Sequence, residues 1–563
     1  AEPGEARLSP SMRDMTLDQV MDAFERAIEL TPVLGELGWE ERRSFNGLLS
    51  ITPDSSSIIG ESTEVKNLWL CEAVWVKEGP GAGKLLAEWM THGRTSMDPH
   101  SVDSARHYPI QKGDDYVRSR CYESAQKIYT PAVHPREPFA TSRGMRVSPF
   151  YEREVALGGY FMEVAGWERA HGYAANEPTL LSKYRDQVPT REAEWDNRHF
   201  WEVSNAEQLA LSDGVGMINL SHFAIFDVEG ADAESLMEYL SVAKVGTDTA
   251  IGKGVYTHFL DQAGGIRSDL TIIRLATDCF RVVCGGDTGH RDYIWMRNMS
   301  DKRGFANVTF HDRSEQLATL GLWGPDARVT LAKLMDDPES ISNEAFPFAT
   351  TKEIVVCGVK VWAFRISYVG EQGWELYFPF SDGLGIWDAL FDLGVTPVGI
   401  ETYANSRRLE KSLRLQNADL EIEYNLYEAG LARPKVKAAD FHGKEAYVQQ
   451  RELQTQAAYL CTFELGDTTD SNGVIRYPVG NWPILDRDTK HVIVDSHGRR
   501  SYTTSMAYGP SLGKNIAMGY LPADKAVEGD VVLIEYFGEH YDATVMKVGY
   551  GALLDPTNER PRS

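Results

Sequence analysis

Between residues 148 and roughly 450 this chain alternates strand-like and helical runs, and beyond 460 the helical rhythm stops. Candidate strands in the first stretch lie at 215–220, 270–275, 281–284, 354–357, 361–366 and 376–379. Candidate helices lie at 231–240, 326–334, 384–393 and 401–411. This mixture predicts an α+β fold rather than a doubly wound sheet. After 460, Gly473, Pro478, Gly480, Gly498, Gly519 and Gly529 punctuate short apolar runs, which predicts a small all-β terminal domain. At 563 residues the chain exceeds what one hydrophobic core serves, so roughly two to four domains are expected.

The first part has a different texture. A helical apolar rhythm runs from 16 to 34, a turn-rich strand-like stretch from 42 to 59, and a short strand expected to be buried from 68 to 76. Gly79-Pro80-Gly81-Ala82-Gly83 then leads into a helix at 84–90 that stops near Gly93. From 95 to 144 the chain is polar and aromatic, as a connector wrapping a neighbouring domain would be. The net charge of −25 argues against nonspecific nucleic-acid binding and against attraction to anionic lipid. No run is apolar enough to span a bilayer, and the opening Ala1-Glu2-Pro3-Gly4-Glu5 lacks the order of a signal peptide. The six cysteines, Cys71, Cys121, Cys279, Cys284, Cys357 and Cys461, lack metal-site spacing. They are expected to be unpaired thiols in a reducing, cytoplasmic setting, with no catalytic or metal-ligating role.

Phe45-Asn46-Gly47, Ile51-Thr52-Pro53-Asp54, Ile59-Gly60-Glu61 and the run from Gly81 to Trp89 resemble the closing part of the flavin domain of dimethylglycine and sarcosine dehydrogenases. The resemblance implies that the helix starting at Gly81, Ala82 and Gly83 points its amino end at a flavin ring. Small residues permit close approach, and free N–H groups with the helix dipole favour negative charge on reduced flavin. The chain departs from that family in having no early strand–Gly-x-Gly-x-x-Gly–helix for the ADP half of FAD. FAD is therefore expected to need a complementary flavin-binding chain or a region outside this numbering. The other readings are a remnant kept for packing or oligomerisation, and flavin held unconventionally.

From about Ser142 to Gly549 the chain resembles the folate-dependent aminomethyltransferases, the T-protein of glycine cleavage, and more closely the copy joined to oxidative N-demethylases. The resemblance rests on ordered pieces: Arg146 to Tyr151, Gly166-Trp167-Glu168, Tyr256-Thr257, Gly264 to Thr271, Arg365 to Leu376, Arg407 to Lys411, Glu428 to Leu431, and Tyr508 to Lys514. It implies that tetrahydrofolate is bound and that Asp269 stands beside the folate N10 and the reacting one-carbon unit. An anion there would stabilise an iminium carbon and orient the attacking amine. Glu375 would accept from pterin N–H groups, Tyr368 would offer its face or hydroxyl, and Arg408 would donate to a pocket carbonyl or carboxylate.

Each residue also has a plainer reading. Asp269 could terminate a turn after Gly264-Gly265, and Tyr368 could be a packing aromatic. Arg408 could brace its own helix against Glu401 or Glu410, and Arg365 and Glu371 could be surface charges bracketing a hairpin. His222 is read as a structural histidine or a substrate or partner contact. Trp374 and Glu375 adjoin on an alternating strand and should face opposite ways, one into the core and the other into pocket or solvent. Tyr403, Asn405 and Ser406, with the segment from Gln416 to Asp419, depart from the family's usual text and are expected to reshape the outer pocket.

The expected division is 1–96, the end of a flavin oxidoreductase domain; 97–144, a connector; 145–450, the folate domain; and 451–563, a β-barrel. The leading expectation is oxidative N-demethylation of a small methylated amine, with the one-carbon unit passed to tetrahydrofolate, in an oligomeric assembly. The alternatives are a folate-dependent demethylase acting without flavin and a non-catalytic scaffold.

Overall fold

A computed structural model describes residues 12–38, 46–128, 134, 136–192, 195 and 202–563. Ala1 to Glu5, Phe45 and the first residues of the 42–59 stretch lie outside the described residues. The fold is α+β, as expected, and two antiparallel sheets facing one another form its centre. The first contains Thr351–Val356, Val359–Phe364, Gly373–Pro379, Leu317–Trp323 and Gly216–Asn219 in that order, with Thr396–Pro397 added in parallel at one edge. The second runs Thr309–Asp312, Ala224–Glu229, Cys279–Cys284, Ile266–Arg274, Gly254–Leu260.

Period-2 alternation explains how these sheets meet. On Gly373–Pro379, Trp374, Leu376 and Phe378 enter one apolar core. Glu375 and Tyr377 point the other way, and Tyr377 packs with Ile225 and Val283 of the second sheet. On Ile266–Arg274, Leu270 and Ile272 enter a separate core beneath the second sheet. Asp269 and Thr271 are left on the face turned toward the first sheet.

The chain after 458 forms an antiparallel sheet of Ile484–Leu485, Val531–Tyr536, Glu539–Val548, Ala458–Leu465, Lys514–Pro522 and Thr503–Gly509. A Pro483–Tyr502 bridge joins its two edge strands and curls it into a small barrel. Adjacent buried arginines tie this barrel to the folate-like module. Arg407 donates to Val369 O at 2.8 Å, to Glu410 at 2.8 Å, to the Ser511 hydroxyl at 2.8 Å, and to Glu371. Arg408 donates to Asp419 and to Ser505 Oγ, both at 2.6 Å.

Several expectations are corrected by the packing. The strand expected to be buried at 68–76 is Trp69–Glu72, half-buried to exposed, because among the described residues it pairs only with Ile58–Glu61 and is covered only in part, by Trp89 of the following helix. The glycine run is itself helical: the helix is Gly79–His92, with Pro80 in its first turn where no N–H is needed. The connector contains a helix, Asp114–Ile128, which buries Arg120, Glu123 and Ser124 rather than an apolar stripe. Arg365 and Glu371 are not surface charges. Arg365 donates to Phe346 O and Asn343 Oδ1, both at 2.6 Å, and Glu371 is buried against Arg407. The 401–411 helix is a π-turn, Thr402–Ser406, followed by Arg407–Glu410.

Because Glu371 and Glu410 surround a fully buried Arg407, removing that guanidinium leaves buried Glu410 without its ion-pair partner and Glu371 with only the half-exposed Arg560. Arg407→Met should destabilise the chain by about 3–5 kcal/mol, read as a lower unfolding midpoint in denaturant. A midpoint equal to that of the native chain would mean that the cluster does not hold the fold together.

Candidate active site in the cleft between the sheets

Where the two sheets face one another they leave a cleft of about 180 Å³, lined by Phe223, Tyr256, Asp269, Thr271, Tyr368, Glu375, Tyr403 and Gln416 among others. Three residues singled out from the sequence, Asp269, Tyr368 and Glu375, therefore meet although about a hundred residues separate the first from the others. Asp269 comes from the second sheet, Glu375 from the first, and Tyr368 from the loop leading into Gly373–Pro379.

Glu375 is the most enclosed of the three. Its carboxyl accepts from Tyr377 Oη at 2.5 Å and from Tyr403 Oη at 3.4 Å. Burial pushes its pKa up to about 7, while the two hydroxyls pull it down. Asp269 is open to the cleft, with protein on its other sides, and accepts from Tyr256 Oη at 3.1 Å. Burial raises its pKa to about 7; the Tyr256 hydrogen bond opposes that rise, and the charges of Asp292 and Asp287 add to it. Tyr368 donates to Arg414 O at 2.5 Å and lies 4.9 Å, centroid to centroid, from Tyr403. The cleft thus offers acceptor carboxyls at two places with aromatic faces between them. That set of acceptors fits a flat heterocycle bearing N–H groups.

Arg408 is not brought into the cleft. It is 1% exposed, its guanidinium is engaged by Asp419 and Ser505, and neither Glu401 nor Glu410 is its partner. Glu401 instead pairs with Arg136 at 2.9 Å. His222 is buried beside Phe223, and burial lowers its pKa well below the usual imidazole value. Gly81, Ala82 and Gly83 lie far along the chain from the cleft residues, in the first turn of Gly79–His92. Ala82 packs on Ile59 and Leu85, while a side chain at Gly81 or Gly83 would meet open space. That openness suits close approach by a flat ring; among the described residues, no phosphate cradle accompanies it.

Three cleft residues were not assigned a role from sequence. Tyr256 had been quoted only as part of a motif, and Tyr403 only as a bulky departure. Its wide π-turn brings the Tyr403 hydroxyl to Glu375. Gln416 lines the wall with its amide nitrogen held by Arg267 O at 3.2 Å and Leu420 O at 3.0 Å. A tyrosine two residues from a strand-borne histidine was the available signal for the first.

Comparison with known proteins places these features in a family. Residues 150–437 match the GCVT N-terminal domain, 480–548 the glycine cleavage T-protein C-terminal barrel domain, and 92–148 the FAD dependent oxidoreductase central domain. The last match falls mostly on the segment read as a connector. The chain is 28% identical to human mitochondrial dimethylglycine dehydrogenase over 97% of its length and 60% of that protein's. It is 30% identical to mouse mitochondrial sarcosine dehydrogenase over 97% of its length and 61% of that protein's. The chain thus spans about 60% of the length of these curated relatives. The aminomethyltransferase T of the glycine cleavage system from Bartonella henselae shares the fold, with a TM-score of 0.57 at 22% identity, covering 72% of this chain and 97% of that one.

The cytoplasmic location expected from the thiols is corrected by these matches, since both dehydrogenases are mitochondrial proteins. Unpaired cysteines do not select a compartment. Among the described residues, no helix is long and apolar enough to cross a membrane, and no group of three or more His, Cys, Asp or Glu could hold a metal.

The raised pKa of Glu375 has a consequence for stability. A carboxyl that keeps its proton when folded binds more protons than the unfolded chain between the ordinary carboxylate pKa and about 7, so its contribution falls as pH rises through that window. Glu375→Gln cannot ionise. The unfolding midpoint of this variant relative to the native chain should therefore improve from pH 5 to pH 8. A difference independent of pH would contradict the raised pKa.

Proposed function

The chain belongs to the family of the GCVT N-terminal domain, and on that premise we propose that its cleft is the tetrahydrofolate site of an oxidative N-demethylating enzyme. There the one-carbon unit taken from a methylated amine is captured rather than lost as formaldehyde. The observation that carries this reading is the convergence of Asp269, Tyr368 and Glu375 on one cleft. Support for the oxidative half comes from alignment with dimethylglycine and sarcosine dehydrogenases along nearly the whole chain and from the FAD dependent oxidoreductase match.

In this reading Glu375 accepts from the pterin N–H groups, with Tyr403 yielding its place on the carboxyl, and Tyr368 lies against the ring. When bound, tetrahydrofolate supplies the amines that take up the one-carbon unit. Asp269 acts at the reacting end. It would accept a proton from the first attacking amine as the new C–N bond forms and return it to the departing amine as the old C–N bond breaks, after which closure of the second folate amine on the same carbon would release one proton to solvent. The carboxyl ends as it began, and a pKa of about 7 suits both transfers. Arg408 acts indirectly, by bracing Asp419 and the barrel behind the site. Gly81 and Gly83 leave room for the flavin ring, whose remaining contacts come from another region or chain. The substrate is a small methylated amine and the assembly oligomeric.

Two variants test the reading. Glu375→Gln should weaken equilibrium tetrahydrofolate binding by about 1–3 kcal/mol while the chain stays folded; native affinity would refute the assignment. Asp269→Asn should retain folate binding and lower methylenetetrahydrofolate formation by about 10²–10³-fold. In a flavin-competent assembly, amine oxidation continues and formaldehyde rises as the folate product falls. If transfer occurs without oxidation, the folate product falls and no formaldehyde appears, which supports the flavin-free alternative. An unchanged product ratio and rate would make Asp269 structural.

A further inference from the structure

Behind Asp269 a hydrogen-bonded chain runs from the cleft into the protein. Tyr256 Oη lies 3.1 Å from Asp269 Oδ2, and His258 Nε2 lies 3.3 Å from Tyr256 Oη. Tyr256 and His258 share one face of Gly254–Leu260, and His258 is the direct cross-strand partner of Asp269. The three side chains therefore stand on the cleft face of the second sheet because the register puts them there. His258 is 2% exposed, whereas Tyr256 reaches the cleft at 38%.

The proton count along this chain fixes its direction. A tyrosine hydroxyl has one proton to give, and a neutral imidazole carries one N–H. With that N–H on Nε2, His258 donates to Tyr256 and Tyr256 donates to Asp269, which makes two hydrogen bonds. With it on Nδ1, Tyr256 can serve only one neighbour, and the Nδ1–H is left unpaired, since no protein group meets Nδ1. The first arrangement wins by one hydrogen bond and one satisfied donor. Burial, reinforced by the Arg433 guanidinium, pushes the His258 pKa down to about 3 and keeps the ring neutral.

The groups facing Asp269 make this donor matter. Asp292, from the helix Gly289–Arg303 behind the strand, and Asp287, from the loop before that helix, both oppose a second negative charge. Tyr368 and Tyr403 stand on the opposite wall, with Cys284 on the neighbouring strand. Among these neighbours only Tyr256 is placed to hydrogen-bond the Asp269 carboxylate.

We propose that His258 is a positioning residue which, by orienting the Tyr256 hydroxyl, holds the Asp269 carboxyl in its charged, proton-accepting form toward the one-carbon centre. The proposal rests on the reading of Asp269 as the transfer carboxylate. It concerns a histidine that touches neither substrate nor folate.

The test is an infrared titration of the ligand-free full chain, in which each protein is compared with its own Asp269→Asn counterpart so that the carboxyl of Asp269 alone is read. The native midpoint should lie near 7. Without the His258 donor that orients and polarises the Tyr256 hydroxyl, the hydrogen bond to the charged form weakens, and the midpoint should rise by up to about one pH unit in His258→Leu. Tyr256→Phe should raise it similarly, and adding His258→Leu to Tyr256→Phe should move it no further. His258→Gln, which keeps an N–H at similar reach, should restore the native midpoint and guards against a misfolded leucine variant. A midpoint that stays put in His258→Leu, or one that rises equally in the glutamine variant, overturns the proposal. Should Asp269→Asn leave one-carbon transfer intact while these midpoints shift as stated, the function reading fails and the hydrogen-bonded chain stands.

Discussion

The guanidinium of Arg407 holds together the parts on which the cleft depends. It reaches Glu371 on the loop before Gly373–Pro379, Glu410 on its own helical turn, and Ser511 in the barrel. Glu371 is four residues from Glu375, and Arg407 is four residues beyond Tyr403. One buried cation thus fixes the two segments that bring a carboxyl and a hydroxyl together in the cleft. Removing three charges from water is costly, and the cost is offset only while every donor is satisfied. The segment is correspondingly specified in one geometry, π-turn included.

The chemistry of the cleft follows from desolvation on facing sheet surfaces. Polar side chains that project between two packed sheets lose solvent, and a carboxyl in that position rises toward neutrality in pKa. Glu375 and Asp269 both do so, to about 7, but their surroundings differ. Glu375 has hydroxyl donors on both oxygens and serves as an acceptor of fixed direction. Asp269 has one hydroxyl donor, faces open space, and has two further aspartates behind it. Under the proposed reading, the same burial therefore serves a binding carboxyl at Glu375 and a proton-exchanging one at Asp269.

Much of this was legible in the sequence because it obeys a short period. The strands around 215–220, 270–275, 281–284 and 376–379 show as short apolar runs, and the opposite facing of Trp374 and Glu375 follows from strand geometry alone. The α+β class and the barrel were legible for the same reason. Helices that bury polar side chains were not. Asp114–Ile128 hides Arg120 and Glu123, and Gly289–Arg303 hides His290, Arg291 and Asp292. Met296 and Met299 of the second helix do enter a core, but the buried polar residues mask the apolar rhythm in both. Arg408 sits in a family-like segment, yet its partners, Asp419 and Ser505, are set by tertiary contacts that no local pattern encodes. The π-turn escaped because helical text does not reveal one extra residue per turn. The compartment escaped because thiols report redox state rather than address.

The central claim is that this cleft receives a folate with its pterin at Glu375 and its reacting amine at Asp269. The most direct measurement is a crystal structure of the chain with tetrahydrofolate bound. The account predicts density for the pterin against Tyr368, ring N–H groups within hydrogen-bond distance of the Glu375 oxygens, and N10 beside Asp269. Folate bound elsewhere, or bound in the cleft with its pterin turned away from Glu375, would contradict it.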